Sequence, residues 1–110
     1  GYGLCGGLSE GKRIADMAHT YYVPMAPHAQ ASPLGMMAAS HMLATIPNFL
    51  VYEWHWSHPA TRWQLWKDYV KEGDIIQKGY IYPPDKPGIG LEMNEEAVKK
   101  SMRPGQPWFS

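Results

Sequence analysis

The sequence predicts an α/β chain in which parallel strands are covered by helices on both faces. Three observations carry this. Helix-like and strand-like stretches alternate from residue 9 to 72. The connections between them are short. The strand-like stretches are apolar throughout, as strands buried on both faces are. Only two full strands belong to the alternation, and two parallel strands cannot bury both faces of a sheet. The segment therefore reads as part of a larger architecture.

Residues 9–22, SEGKRIADMAHTYY, form the first expected helix. Ile14, Met17, Ala18 and Tyr21 recur at helical spacing, and Ser9 is the expected N-cap. YVPMAP (22–27) has the length of a buried strand, shortened by Pro24 and Pro27. A loop, HAQASPLG, leads into a second helix over 33–46, with Pro33 in its first turn. That helix is apolar nearly all round, so it should be covered on both sides. NFLVYEW (48–54) is the second strand. HPATRWQLWKDYVKEG (58–73) reads as a third helix with Trp63, Trp66 and Tyr69/Val70 on one face and Gly73 at its end. Beyond it, IIQKGYIY and GIGLE read as short strands divided by proline-glycine turns. NEEAVKKSM is a short Asn-capped helix, and RPGQPWFS an irregular tail.

Composition narrows the function classes. The chain has 110 residues, 45% of them apolar, enough for one folded domain with a modest core. Ten basic and ten acidic residues cancel, so nothing points to a nucleic-acid partner. Cys5 is the single cysteine, which precludes an internal disulfide and fits a reducing, cytoplasmic setting. No secretory signal is visible. The longest apolar stretch is interrupted by His41, Pro47 and Asn48, so no membrane span is expected.

The opening GYGLCGGLSE contains G-x-G-x-x-G at Gly1, Gly3 and Gly6. A dinucleotide fingerprint needs a strand before it and an acidic residue about 20 positions on. No strand-like residues precede Gly1, and Pro24, Met25 and Ala26 occupy the later position. A glycine-rich turn into a helix is the better reading.

Two residues stand out for chemistry. His28 lies just past the first strand, and Glu53 ends the second. In an α/β barrel, the carboxyl ends of successive strands face one pocket, so an imidazole and a carboxylate would meet there. Imidazole suits proton transfer near neutral pH. The bland alternatives are a loop histidine and a solvated strand end. His41 reads as a hydrogen-bonded helix-packing histidine, and His19 as a surface or helix-end residue. His55 and His58 make an H-x-x-H beside Glu53, but no third ligand follows, so a loop feature is preferred to a metal site. Cys5 has no nucleophile context.

The segments CGGLSEGKRIADMAHTYYVPMAPH, HMLATIPNFLVYEW and GYIYPPDKPGIGLEMNEE together resemble the C-terminal part of the enolase superfamily. The resemblance is to the mandelate racemase and muconate-lactonizing branch, nearest its acid-sugar dehydratases, and runs from Cys5 to about Val98. It implies a modified (β/α) TIM-like barrel with a capping domain. This chain would supply the last strands and helices over 1–73, and residues 74–110 would return toward the cap. A whole barrel needs about 250 residues, so the chain reads as a C-terminal fragment.

The resemblance also implies a chemistry. The family removes the proton next to a substrate carboxylate, and a magnesium ion stabilises the enediolate that forms. The substrate would be a small sugar acid or another carboxylate. His28 matches the family's seventh-strand general acid/base, and Glu53 the eighth-strand glutamate that bonds the substrate carboxylate. Two departures follow. The aspartate that orients the family's histidine falls at or before Gly1, and GYGLC contains no carboxylate. The family's three acidic metal ligands lie on earlier strands, so none is expected here. The chain alone is then expected to be inactive. A racemase or cycloisomerase is the alternative for the intact enzyme. A non-catalytic, homo-oligomeric association module is the alternative for the chain itself.

Overall fold

The computed structural model describes residues 5–29, 32–54, 63 and 66–108. Its elements in chain order are helix α1 (Leu8–Thr20), strand β1 (His28–Ala29), helix α2 (Pro33–Leu43) and strand β2 (Glu53–Trp54). A 3-10 turn (Lys67–Tyr69) and helix α3 (Glu95–Lys100) follow. β1 and β2 are parallel neighbours, with His28 opposite Glu53 and Ala29 opposite Trp54. The expected parallel pairing is therefore present. β1 lies just past the run YVPMAP expected to form it, so His28 opens the strand rather than following it, and β2 keeps only the last two residues of NFLVYEW. Upstream of β1 and β2, only the bridge between Met25 and Phe49 continues the pairing. Pro24 and Pro27 lack the N–H a longer ladder needs.

α1 begins one residue earlier than expected. Gly7, not Ser9, is its N-cap, at φ 95°, with no side chain capping the turn. Gly6 is also left-handed at φ 108°, which suits the glycine-rich turn read from the sequence. The buried face of α1 differs from the expected one. Gly11 and Ala15 are buried, whereas Ile14, Met17 and Tyr21 are 43%, 69% and 74% exposed. The reason is close packing: α1 meets α2 through Ala15, which packs with Met42, Leu43 and Ile46.

α2 starts where expected, at Pro33, and ends at Leu43 rather than at residue 46. Ser32 caps it, its Oγ accepting from the Gly35 N–H at 3.5 Å, and Pro33 follows at the first helical position. Its two-sided apolar character is used on both sides. Met42 and Leu43 pack with Ala15 and Ile46 in one cluster, while Met36 and Met37 pack with Val70 and Ile75 in a second. Tyr52 touches both clusters.

The third expected helix ends sooner than predicted. Most of its first half lies outside the described residues. Trp63 and Trp66 are helical, but Lys67–Tyr69 tighten into a 3-10 turn and Val70 is extended. Val70 then bridges Met93, antiparallel, so the chain leaves the helix to pair with the later segment. The two strands expected in the last third are absent among the described residues. IIQKGYIY is folded back on itself: Gln77 and Tyr80 exchange both backbone hydrogen bonds, 2.8 and 3.0 Å, around Lys78 and Gly79. Both central residues have positive φ, 51° and 84°, which is a hairpin turn where strand alternation was read. GIGLE is irregular. α3 forms as expected, with Asn94 Oδ1 accepting from the Ala97 N–H at 3.3 Å.

Candidate functional site

The site is built where β1 and β2 meet. The pairing starts upstream, at Asn48. Its backbone carbonyl accepts from Met25 N–H at 2.7 Å, and Leu50 N–H donates to Met25 O at 2.9 Å. Three residues then carry the chain from Met25 to His28, while four carry it from Phe49 to Glu53. The segment leading into β2 thus holds one extra residue, a bulge. Glu53 N–H, rather than Tyr52 N–H, donates to Pro27 O, at 3.0 Å.

The bulge decides which side chain meets His28. Side chains alternate faces along a strand. Without the extra residue, Tyr52 would stand opposite His28 and Glu53 would turn to the side where Met25 packs. With it, Tyr52 packs into the core beside Met25, and Glu53 shares the face of His28. Glu53 Oε2 lies 3.3 Å from His28 Nδ1. The two side chains are 56% and 44% exposed, so a small molecule can reach both.

The geometry assigns the ring nitrogens different tasks. A neutral imidazole carries one N–H and one lone pair. With Glu53 beside Nδ1, the proton is favoured there, and the lone pair sits on Nε2. Nε2 can then take a proton from a substrate.

The other histidines fall as the sequence reading placed them, where they are described. His41 is half-buried on α2, its Nε2 3.1 Å from Ile89 O, which fastens the proline-glycine segment to the helix. His19 is exposed in the last turn of α1. His55 and His58 lie outside the described residues. Among the described residues, no three His, Cys, Asp or Glu side chains come together to hold a metal ion. No helix among them is long and apolar enough to cross a membrane.

One polar residue at the site went unread in the sequence. Asn48 Nδ2 donates to Ala15 O at 3.0 Å and to Val23 O at 2.9 Å. The signal available was a lone amide inside a long apolar run.

The parallel strand pair, with its imidazole and carboxylate at the strand ends, can be compared with known proteins. The family model for the enolase C-terminal domain-like fold matches residues 2–97. The chain belongs to this family. A D-xylonate dehydratase from Haloferax volcanii is 42% identical over 106 residues, covering 94% of this chain and 24% of that protein. A D-galactonate dehydratase from Pectobacterium atrosepticum is 32% identical over 94% of the chain and 28% of its own length. A mandelate racemase/muconate lactonizing enzyme-like protein from Rubrobacter xylanophilus superposes with TM-score 0.82 at 43% identity, over 96% of this chain and 26% of that one. An enolase from Pseudomonas fluorescens, solved with magnesium, potassium and tartrate, superposes with TM-score 0.66 at 25% identity, over 86% and 22%. The chain spans about a quarter of the length of these relatives. β1 and β2 are accordingly two adjacent strands of an enolase-type barrel, and α1 and α2 belong to its helical shell.

Proposed function

We propose that this chain contributes the general acid/base and a carboxylate-binding group to an acid-sugar dehydratase. The observation that carries the reading is the His28–Glu53 pair, held on one face of two parallel strands with both side chains open to solvent. The dehydratases among the relatives supply the substrate class.

In this reading the substrate's carboxylate lies over Glu53 and its α-carbon over His28. His28 Nε2 removes the α-proton, and the electron pair left behind moves into the substrate carboxylate as an enediolate. Two carboxylates bond only with a proton between them: the Nδ1 proton of the imidazolium is lent to Glu53 as the enediolate forms, and it returns to Nδ1 as the enediolate collapses. The enediolate electrons then return, the β-carbon–oxygen bond breaks, and the hydroxyl leaves as water with a proton from an acid such as His28. Such proton transfers contribute about 10²–10⁴ in rate. Magnesium belongs to this proposal as the group that stabilises enediolate charge. The described residues do not fit a site for it: they bring one histidine and one carboxylate together, already engaged with each other. Its ligands, and the capping part of the enzyme, lie beyond them.

The division of the chain near residue 73, into barrel elements and a segment returning to the cap, is part of the same proposal. The chain by itself should not turn over. The test uses the full-length enzyme carrying this sequence, with sugar acids such as xylonate and galactonate in deuterium oxide. Loss of water with a His28-dependent rate supports dehydration. Deuterium entering the α-position without water loss would point to the racemase alternative. No exchange at all would remove the reading.

A second reading rests on the exposed apolar surface of α1 and the strand starts. Met17, Tyr21 and Leu50 are 69%, 74% and 65% exposed. Patches of this kind invite association. On its own the chain should form homo-oligomers, and a monomer at high concentration in sedimentation would dismiss that.

A further inference from the structure

We infer that Asn48 is a positioning residue for the His28–Glu53 pair, an inference that rests on the functional reading of that pair. One amide ties together the elements that frame the site. Its Nδ2 bonds a carbonyl inside α1 (Ala15) and the carbonyl of Val23, just before Met25. Its own carbonyl receives the Met25 N–H. α1, the entry to β1 and the entry to β2 are thereby fixed against one another at one point. The bulge begins one residue after the bridge that this point sets, at Met25 and Phe49.

The chemistry of the site requires a donor. Both partners of Nδ2 are carbonyl oxygens, which only accept. The remaining side-chain atom, Oδ1, is buried with no hydrogen-bond partner. An oxygen without a partner is tolerated here while the nitrogen makes two bonds. An aspartate of the same shape would aim a second oxygen at two carbonyls and bury a charge. Asn48 therefore acts through its N–H groups, not through the volume it fills.

Its consequence is read at His28. With the start of the ladder fixed, the extra residue places Glu53 beside Nδ1. With the start free, the two strands can shift against each other, and Nδ1 loses its acceptor. The signature is the tautomer of the neutral ring, which ¹⁵N chemical shifts of the imidazole report directly.

The experiment compares the full-length enzyme carrying this sequence with its Glu53→Gln, Asn48→Ala, Asn48→Asp and Thr45→Ala variants. Thr45 Oγ1 bonds Met42 O at the end of α2, away from the pair, and controls for a general loss of stability. In the unaltered chain we expect the Nδ1–H form of His28 to dominate, and Glu53→Gln to reduce it. Asn48→Ala and Asn48→Asp should reduce it as far, and Thr45→Ala should leave it unchanged. If Glu53→Gln has no effect, the pair itself is wrong and this inference falls with it. If Glu53→Gln acts but the Asn48 variants do not, the inference alone is overturned. A second measurement covers variants that do not fold. In the unaltered chain both Asn48 Nδ2 protons should exchange with solvent far more slowly than those of the exposed Gln106 amide. Equal rates would overturn the inference.

Discussion

His28 Nδ1 and Glu53 Oε2 stand 3.3 Å apart on neighbouring parallel strands, in a register that needs one more residue leading into β2 than into β1. The imidazole thus faces the carboxylate through Nδ1. A carboxylate beside one ring nitrogen favours the proton there, which leaves the lone pair of the neutral ring on the other, as a general base needs.

The pair gives a first prediction for the full-length enzyme. His28→Ala should lower kcat by about 10²–10⁴, the range that removal of a positioned acid/base produces. Glu53→Gln keeps a hydrogen-bonding group but loses the negative charge beside Nδ1. It should lower kcat less than His28→Ala, with a change in KM from the altered carboxylate contact. Steady-state kinetics on both variants checks the order. Equal and negligible effects would mean that neither side chain touches the substrate.

A second prediction concerns the proline-glycine segment that His41 fastens to α2. Gly90 has φ 74°, and a Cβ there would collide with Pro84 Cγ. Gly90→Ala therefore meets both a backbone strain and a collision with a rigid ring. Gly88 has φ 68° but no atom within 4 Å of such a Cβ. Gly88→Ala should cost about 1 kcal/mol, from the left-handed backbone alone, and Gly90→Ala about 2–4 kcal/mol. Urea titrations of the two variants measure the difference.

Much of this architecture was legible in the sequence, and the exceptions have physical causes. The alternation of elements, the parallel pairing and the two strand-end residues all follow from apolar runs and their punctuation. The buried face of α1 did not, because Gly11 and Ala15 are small and a hydrophobicity pattern favours Ile14, Met17 and Tyr21. IIQKGYIY has the apolar content of a strand, but Lys78 and Gly79 turn it at its centre. The bulge had no sequence mark at all. Alternation is blurred in a run as apolar as NFLVYEW, so the face of Glu53 could not be counted from it. The role of His41 was legible as packing, but its partner, the Ile89 carbonyl, is 48 residues away.

A third prediction comes from Lys71. Its Nζ bonds the Glu92 carboxylate, while the backbones of the two residues pair as Lys71 N–H to Glu92 O at 2.9 Å. The bond to Glu92, and then its charge, raise the lysine pKa above the ordinary 10.5. A raised cation pKa adds stability that is fully present below the unfolded value and is lost as pH rises through the folded one. The pair is exposed, so the effect is small and weakens with salt. Glu92→Gln should lower the urea midpoint slightly at neutral pH and not at all once lysine is deprotonated. A difference that persists at high pH would trace to packing instead.

The last prediction separates the bulge from the pairing it accommodates. From the bridge of Met25 with Phe49, β1 reaches His28 in three steps. If Val51 is deleted, β2 also reaches Glu53 in three steps, and the ladder becomes regular. Alternation then puts Tyr52 on the side of Met25 and Glu53 on the side of His28, which are the faces they already occupy. Val51 is half exposed, so its removal takes little from the core. The deletion should therefore keep the Nδ1–H form of His28, read by imidazole ¹⁵N shifts. Its effect should instead appear as a reduced local twist, since bulges increase twist and bend the strand. The same deletion combined with Asn48→Ala should recover part of the tautomer preference that Asn48→Ala loses, because a regular ladder has no competing register to relax into. A deletion that abolishes the preference in the otherwise unaltered chain would mean that alternation counted from the Met25–Phe49 bridge does not decide the face of Glu53.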